Sequence, residues 1–356
     1  MSKLGSLLRG WRLSEYLVII IEVCGSIALG IGIATSLLYV LGFDPGKGMA
    51  LLLGGGFTDP DYLLSRATFI MMTGLAFSIP LMAGLFNIGG EGQMYVGGLV
   101  SLLTAIYTGN LLLALIAGGA AGLALGLFIA ALRVYRGVNE VISSIMLNWT
   151  LYYLTIYLIT NTFYDPLAPH ESIKVPLSAR LGFISINGFK LHVIFPISLV
   201  FILLAYYVLY HTKIGFEIRA SGLSPKAAKY AGLNPERAMI YAMCLGGFFG
   251  GVAGALNVLG FTYYIDTLLT TMYGMGFDGI GVALMGRGHP IGIVFSSIFF
   301  SMLIIGGQSM QMALNAPKEV ADALSGIIIM ALALPYAYRM VLSYLRARRL
   351  ISRGSY

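Results

Sequence analysis

The sequence predicts an all-α fold: a polytopic transmembrane helical bundle of about ten spans, some of them broken or half-length. Of its 356 residues, 58% are hydrophobic and only 10% are charged, whereas soluble domains carry roughly 25% charged residues. Apolar segments of near twenty residues recur from end to end, and that is the length a helix needs to cross the hydrocarbon core. Because backbone groups in lipid must be hydrogen-bonded within the protein, segments this long indicate helices rather than barrel strands.

Hydropathy places the spans in order along the chain. The first apolar run, 16–41, is too long for the core of a signal peptide, and no A-x-A cleavage site follows it, so we interpret it as a transmembrane helix. Small residues at four-residue spacings in 118–126 and 246–254 predict close helix packing. The remaining predicted spans are 63–86, 91–108, 110–132, 139–161, 191–210, 238–260, 277–286, 290–310 and 319–338.

The positions of the basic residues predict the sidedness of the loops. Most of the 22 Lys and Arg lie beside spans, and the positive-inside rule assigns such segments to the cytoplasm. We therefore expect a cytoplasmic N-terminus at 1–15, a transmembrane domain at 16–338 with an inner loop at 211–237, and a basic cytoplasmic tail at 339–356. For the same reason the net charge of +7 does not indicate a nucleic-acid partner. The segments expected outside are 42–62, 163–190, 262–276 and 311–318.

Two glycine-rich breaks interrupt the apolar pattern. The first lies in "GLFNIGGEGQMYVGG" at 84–98, and the second is "GRGHPIG" at 286–292. The span before the second break, 277–286, would rise only about 15 Å as a helix, half the hydrocarbon thickness. Each break follows an inward span and precedes an outward one, which predicts a weak parallel internal repeat. Paired interruptions of this kind indicate a transport pathway, although any single glycine could serve close packing alone.

Polar groups inside apolar spans are costly and are therefore candidates for function. Glu91 and Asp278 each begin an apolar segment beside a break, so each could line a water-filled vestibule. Alternatively, each carboxylate caps a helix N-terminus, where the helix dipole favours negative charge. Asn87 and Gln93 lie in the same break as Glu91. Gln308 is a further amide within a span, for which interhelical hydrogen bonding is the alternative.

The span 139–161 carries a polar stripe. Glu140, Ser144, Asn148 and Tyr152 follow one another at steps of four, which puts them on one helical face. We expect that face to look into the bundle, with Asn148 deep enough to hydrogen-bond a polar solute. Glu140 lies near the cytoplasmic end and could pair with Arg136.

The sequence lacks the common motifs of nucleotide-binding, hydrolytic and metal-binding sites. There is no phosphate-binding loop, HExxH, GxSxG or Cys/His metal cluster, so we expect no cofactor on this chain and no enzyme activity of its own. The two cysteines, Cys24 and Cys244, lie far apart in apolar runs and are interpreted as small buried hydrophobes. If nucleotide hydrolysis drives this protein, another chain carries it out.

The loop 211–237 predicts a short exposed helix. Pro225 can start it and Gly232 can end it, and Asn234-Pro235 begins the next span. An amphipathic helix between two spans suits docking to a cytoplasmic partner, although an ordinary surface helix would show the same pattern.

Four stretches in order together resemble the membrane subunit of prokaryotic ABC importers in the branched-chain amino acid and simple-sugar permease superfamily, nearest to its nucleoside and simple-sugar branch. They are "GLFNIGGEGQMYVGG", "VNEVISSIMLNW", "ASGLSPKAAKYAGLNPERA" and "GFDGIGVALMGRGHPIG". The resemblance implies a permease in the cell membrane, working as a homodimer or heterodimer. Its implied partners are two cytoplasmic subunits that bind ATP-Mg and an extracytoplasmic solute-binding protein.

The resemblance also implies roles for particular residues. The coupling helix that inserts into the ATPase would include Gly222, Pro225, Ala228, Tyr230 and Gly232. The outer loop 163–190, together with 42–62, would receive the solute-binding protein. The resemblance places Asn87 and Glu91 close to the substrate pathway, with alternating access driven by ATP. From the polar residues themselves we add Gln93, Asn148, Asp278 and Gln308 as candidates for lining that pathway.

A rival of a different class is a proton-coupled secondary transporter of a polar solute that uses Glu91 and Asp278 as protonation sites. The docking loop argues against it, because a secondary carrier has no ATPase to contact.

Overall fold

The computed structural model describes residues 25–186 and 189–331. The segments 1–15 and 339–356, the first part of the first span with Cys24, and the end of the last span lie outside the described residues. Within them a helix occupies each of the ten predicted span positions, and six are long and apolar enough to cross a membrane. The chain is thus the predicted polytopic all-α protein, while the count of ten spans stays a prediction.

Thirteen helices occur in the described residues. The first six are α1 (Gly25–Val40), α2 (Pro45–Gly54), α3 (Pro60–Met82), α4 (Gly90–Thr108), α5 (Leu111–Arg136) and α6 (Glu140–Asn161). The next six are α7 (Ile194–His211), α8 (Lys213–Leu223), α9 (Pro225–Tyr230), α10 (Pro235–Asn257), α11 (Met275–Met285) and α12 (Pro290–Leu314). Residues 318–331 form α13. Four short strands are β1 (Tyr164–Asp165), β2 (Ala168–Ser172), β3 (Phe183–Ile186) and β4 (Phe189–His192).

The helix ends follow local sequence rules. Asn139 and Asn234 cap α6 and α10 with side-chain oxygens that accept backbone N–H groups, which satisfies donors that a helix leaves free. Gly109 and Gly137 end α4 and α5 in the left-handed conformation, with φ of 62° and 67°, where a residue without Cβ is favoured.

Helix α2 was not predicted, because the segment 42–62 was interpreted only as an outer connection. Asp44 accepts the N–H groups of Gly46 and Lys47, and Pro45 opens the helix, which is the expected chemistry of a helix start. A ten-residue helix is too short for a hydropathy search tuned to spans, so only this capping signal could have revealed it.

The described residues divide into two compact units, 59–301 and the pair of segments 25–58 and 302–331. In the second unit, Gly55 and Gly56 approach α12 at Ser309 and Met302, and Gly306 of α12 lies against the backbone of Leu52. These contacts need residues without side chains on both segments, because a Cβ would overlap the opposite backbone.

In the unit 59–301, α10 is the central helix and packs against α3, α4 and α5. The crossing of α10 with its neighbours is made by glycines: Gly251 lies against Gly118 and Gly122 of α5, and the backbone of Gly251 touches Gly97 of α4. This confirms the close packing predicted from the small residues of 118–126 and 246–254. Without a hydrophobic driving force in lipid, such backbone contact is a main source of helix association.

The segment 163–190 contains two β-hairpins rather than only loop. Strand β1 pairs with β2, and β3 pairs antiparallel with β4, with Phe183 opposite His192. His192 ties the second hairpin to the start of α3, since its Nδ1 lies 2.7 Å from Asp61 Oδ2 and 3.1 Å from Ser65 Oγ. The backbone N–H of His192 also donates to Asp61, at 2.8 Å.

Candidate functional site at the two helix breaks

The two predicted breaks end their helices in the same way. After α3, Gly84 has φ of 80° and the N–H of Leu85 donates to the carbonyl of Pro80. After α11, Arg287 has φ of 53° and the N–H of the next residue, Gly288, donates to the carbonyl of Ala283. Both are caps that close a helix through a left-handed residue. The internal repeat itself stays a prediction.

Glu91 joins the segment after the first break to the short helix α11. Its side chain is 2% exposed. Oε1 accepts hydrogen bonds from the Tyr95 hydroxyl and the N–H of Gly274, both at 2.5 Å, and Oε2 accepts one from the N–H of Gly276 at 2.6 Å. An ionised carboxylate only accepts hydrogen bonds, so it matches this set of three donors. Glu91 therefore caps a helix N-terminus, which is the alternative to a vestibule-lining role. The helix that it caps is α11, however, and not α4, to which Glu91 itself belongs.

The N-terminus of α11 is also packed tightly against its neighbours. A Cβ on Gly276 would overlap the backbone of Glu91, and one on Gly279 would overlap Thr73 of α3. Thr73 Oγ1 donates to the carbonyl of Met275 at 2.8 Å. The start of α11 is thus held by both α3 and α4.

Asn87 and Gln93 form a buried amide pair at the first break. Asn87 Nδ2 donates to the carbonyl of Ala76 at 2.9 Å, and its Oδ1 accepts the N–H of Gly89 at 3.0 Å. The amides of Asn87 and Gln93 lie 3.3–3.4 Å apart. Their hydrogen-bonding groups hold the turn between α3 and α4.

The polar stripe of α6 faces the bundle as predicted. Ser144 and Asn148 are buried. Asn148 makes two hydrogen bonds at the start of α4: its Oδ1 accepts the N–H of Gly92 at 2.8 Å, and its Nδ2 donates to the carbonyl of Ile88 at 2.9 Å. Glu140 is buried as well, but its ion pair is with Arg133 at 3.2 Å. The predicted pairing of Glu140 with Arg136 was wrong. Arg136 is the last residue of α5, and the actual partner, Arg133, lies one turn earlier in that helix.

The other two pathway candidates lie elsewhere. Asp278, in the first turn of α11, pairs with Arg66 of α3 at 3.8 Å, and both side chains are partly exposed. Gln308 is half-buried on α12 and belongs to the other compact unit. The structure therefore brings Asn87, Glu91, Gln93 and Asn148 together around the start of α4.

A small, partly open pocket lies beside this network. Helical spacing had placed Tyr152 on the inward stripe, but the other aromatic walls were not predicted, although Tyr95 stands one turn after Glu91 and Tyr273 directly precedes the glycine that Glu91 binds. The rings of Tyr95, Trp149 and Tyr273 each lie 5.7–5.9 Å from the ring of Tyr152. The pocket is lined by Glu91, Tyr95, Ile145, Asn148, Trp149, Tyr152, Tyr273 and Phe277.

The predicted coupling segment forms two short helices, α8 and α9. Gly222 at the end of α8 touches the carbonyl of Met82, the last residue of α3. Pro225 opens α9, whose Ala228 is buried, and Gly232 ends the segment with φ of 81°. Tyr230 is 94% exposed. Leu223, at the end of α8, is 89% exposed. The segment therefore presents both Leu223 and Tyr230 to its surroundings and rests on the helix that leads into the first break.

Among residues 25–186 and 189–331, no group of three or more His, Cys, Asp or Glu side chains is arranged to hold a metal ion.

Comparison with known proteins identifies relatives along nearly the whole chain. A family model described as "Branched-chain amino acid transport system / permease component" matches residues 60–333. The guanosine ABC transporter permease protein NupP of Bacillus subtilis is 32% identical over 351 residues, which cover 95% of this chain and 98% of NupP.

Two further relatives differ in the substrate that they are named for. The nucleoside ABC transporter permease protein NupB of Lactococcus lactis is 29% identical, covering 78% of this chain and 80% of NupB. The glucose ABC transporter permease protein TsgB13 of Haloferax volcanii is 28% identical, covering 88% and 86%. No solved structure matches the chain significantly.

Proposed function

Because this chain belongs to the family of permease components of branched-chain amino acid transport systems, and is thus the membrane-spanning subunit of an ABC importer, we propose that its substrates are nucleosides. The observation that carries this is the similarity to the guanosine permease protein over 95% of the chain. The similarity to the guanosine permease protein extends through both helix breaks and the coupling segment. Simple sugars are the second candidate, favoured by the similarity to a glucose permease protein.

The permease is proposed to work in a larger assembly. Two cytoplasmic subunits that bind and hydrolyse ATP-Mg would supply the energy, and this chain would have no ATPase site of its own. An extracytoplasmic solute-binding protein would deliver substrate to the hairpins of 163–190 and to 42–62. This arrangement has both termini in the cytoplasm of a prokaryotic cell.

A second permease subunit is proposed to complete the pathway. Two guanosine permease proteins of Bacillus subtilis, NupP and NupQ, are both similar to this chain. A pair of related but different chains is therefore the arrangement that we favour.

Within this chain, the pathway is proposed to pass the two breaks, along Asn87, Glu91, Gln93, Asn148 and Asp278. The polar atoms of the first four hydrogen-bond the segments at the first break and the start of α11, so these residues shape the pathway more than they bind solute. A proton-coupled mechanism through Glu91 and Asp278 is not favoured, because the relatives are ABC permeases and Glu91 already accepts three hydrogen bonds.

Reconstitution tests the proposal. We expect the permease, combined with its ATPase subunits, second permease and solute-binding protein in proteoliposomes, to take up guanosine or uridine only when ATP is present on the ATPase side. Uptake of glucose alone would replace nucleosides with sugars as the substrate. Accumulation by the isolated chain on a pH gradient without ATP would contradict the ABC mechanism.

Tyr230 provides a specific test of coupling. Tyr230→Ala removes the most exposed large side chain of the coupling segment without touching a buried contact. Since aromatic anchors dominate protein interfaces and cost about 1 kcal/mol or more when truncated, we expect binding of the ATPase subunit to weaken at least about 5-fold. Substrate-stimulated ATP hydrolysis should fall in parallel.

The matched control is Tyr107→Ala, which removes another exposed tyrosine, 75% open, at the far end of α4. It should leave ATP hydrolysis unchanged. Equal ATPase binding by the two variants would remove Tyr230 from the proposed interface.

A further inference from the structure

The exposed face of α6 carries aromatic residues near the middle of the helix, an unusual position for them in a membrane span. The exposed Trp149 and Tyr153 lie near the middle of this 22-residue helix, about 14–20 Å from its start at 1.5 Å per residue. In membrane proteins Trp and Tyr are enriched at the two interfaces, where their polar ends reach water. Aromatic residues with polar groups half-way along a span therefore indicate a surface that does not face hydrocarbon.

The neighbouring exposed faces have a different composition. Towards the middle of α5 the large open side chains are Leu127 and Phe128, and on α7 they are Val200, Leu203 and Leu204, while Tyr135 and Tyr207 lie closer to the helix ends. Those mid-helix faces suit contact with lipid tails. Helix α6 also exposes Ile142, Met146 and Leu154, so what distinguishes it is the aromatic pair Trp149 and Tyr153 at its middle.

The aromatic face leads directly into the pocket beside Glu91. Trp149 and Tyr273 line its walls while remaining 48% and 56% exposed, so their ring faces are open to a ligand. Tyr152 lies between them and holds both through edge contacts. The pocket is therefore a small, partly open recess, and a ligand would lie against the exposed ring faces rather than inside a closed cavity.

The polar groups of the pocket are already hydrogen-bonded. Both oxygens of Glu91 and both ends of the Asn148 amide are engaged with backbone or with Tyr95. A monosaccharide needs many hydrogen bonds when it leaves water, because unpaired hydroxyls are costly to bury. Every nucleobase has a planar π-face that can stack on an aromatic ring, whichever polar atoms the base carries at its edge.

We propose that this pocket binds the planar base of a nucleoside on its way through the permease, with the base stacked on Trp149 and Tyr273 and with Glu91 as the positioning residue that holds the aromatic walls. The inference rests on the proposed function, and adds that the permease itself recognises the base rather than the sugar. Glu91 fixes one wall through the Tyr95 hydroxyl and the other through Gly274, the residue after Tyr273.

Intrinsic fluorescence tests the stacking directly, because the chain has only two tryptophans, Trp11 and Trp149. In Trp11→Phe permease, assembled with its partner permease and ATPase subunits whose tryptophans are replaced by phenylalanine, guanosine is expected to quench the emission of Trp149. Ribose and glucose should not. The Trp149→Phe permease with Trp11 retained should show no quenching. Absence of quenching by guanosine, adenosine and uridine, or equal quenching by ribose, would overturn the inference.

Uptake separates this inference from the proposed function. Trp149→Ala is expected to weaken nucleoside binding by about 5- to 150-fold, the range that stacking of one base supplies. The control Phe128→Ala removes an exposed ring from the apolar face of α5 and should transport like wild type. If wild type imports nucleosides and Trp149→Ala imports them equally well across the concentration range, the pocket assignment fails alone. If wild type imports no nucleoside, the proposed function fails and this inference with it.

Discussion

Replacing Glu91 with glutamine is expected to abolish ATP-driven uptake and to lower the stability of the folded permease. Glutamine keeps one oxygen but puts an NH₂ group where the other oxygen accepts a hydrogen bond, so the N–H of Gly274 or Gly276 would face a donor. A buried donor left unsatisfied costs about 1–3 kcal/mol. Loss of the negative charge at the start of α11 adds up to about 2 kcal/mol.

Thermal unfolding of the purified complex and uptake in proteoliposomes measure the two effects. Glu319→Gln is the matched control, because Glu319 is an exposed carboxylate on α13, and it should change neither quantity. Glu91→Asp should resemble glutamine, since its carboxylate is shorter by one methylene and cannot reach both glycine N–H groups. A Glu91→Gln protein with wild-type melting temperature and uptake would contradict the bridging role.

Replacing Gly251 with valine is expected to prevent assembly of the helical bundle. A Cβ at this position would overlap the backbone of Gly118 and crowd Gly122, and backbone cannot move aside as a flexible side chain can. Overpacking of a core costs typically about 1–3 kcal/mol and occasionally more; contact between two backbones puts this case at the upper end. The fraction of protein that elutes as a single species after detergent extraction measures the effect.

Gly32→Val provides the control for that experiment. Gly32 also lies within a helix, α1, but a Cβ there meets no atom within 4 Å, so valine should be accepted, and valine is also a better helix former than glycine. Equal yields of monodisperse protein from the two variants would show that the α5–α10 contact is looser than the structure has it.

Much of the fold could be predicted because the membrane imposes a local rule. A span must supply about twenty apolar residues wherever it occurs, so composition alone located the ten helical segments to within a few residues. The burial of Ser144 and Asn148 was also predictable, since helical periodicity is a local property. Helix α2 and the hairpins of 163–190 were not, because short elements beside the spans have no such length requirement.

The candidate site was predictable only as a set of residues. The glycine breaks and the carboxylate of Glu91 stand out in an apolar sequence, and four of the six pathway candidates do cluster. Their partners could not be predicted: Glu91 binds backbone groups 183 and 185 residues further along the chain. Backbone N–H groups carry no sequence signal, and neither does the choice of Arg133 over Arg136 as the partner of Glu140.

The sequence by itself determined that this chain is a helical membrane permease with two paired interruptions. The length of the apolar runs, the positions of the charges and the glycine content are local properties that can be read from any short stretch of sequence. Only the tertiary structure decided that the carboxylate of the first interruption holds the helix of the second, and that aromatic rings from α4, α6 and the segment before α11 meet in one pocket. Those contacts depend on how distant helices cross, and that is set by the packing of glycine backbones against one another rather than by any local pattern.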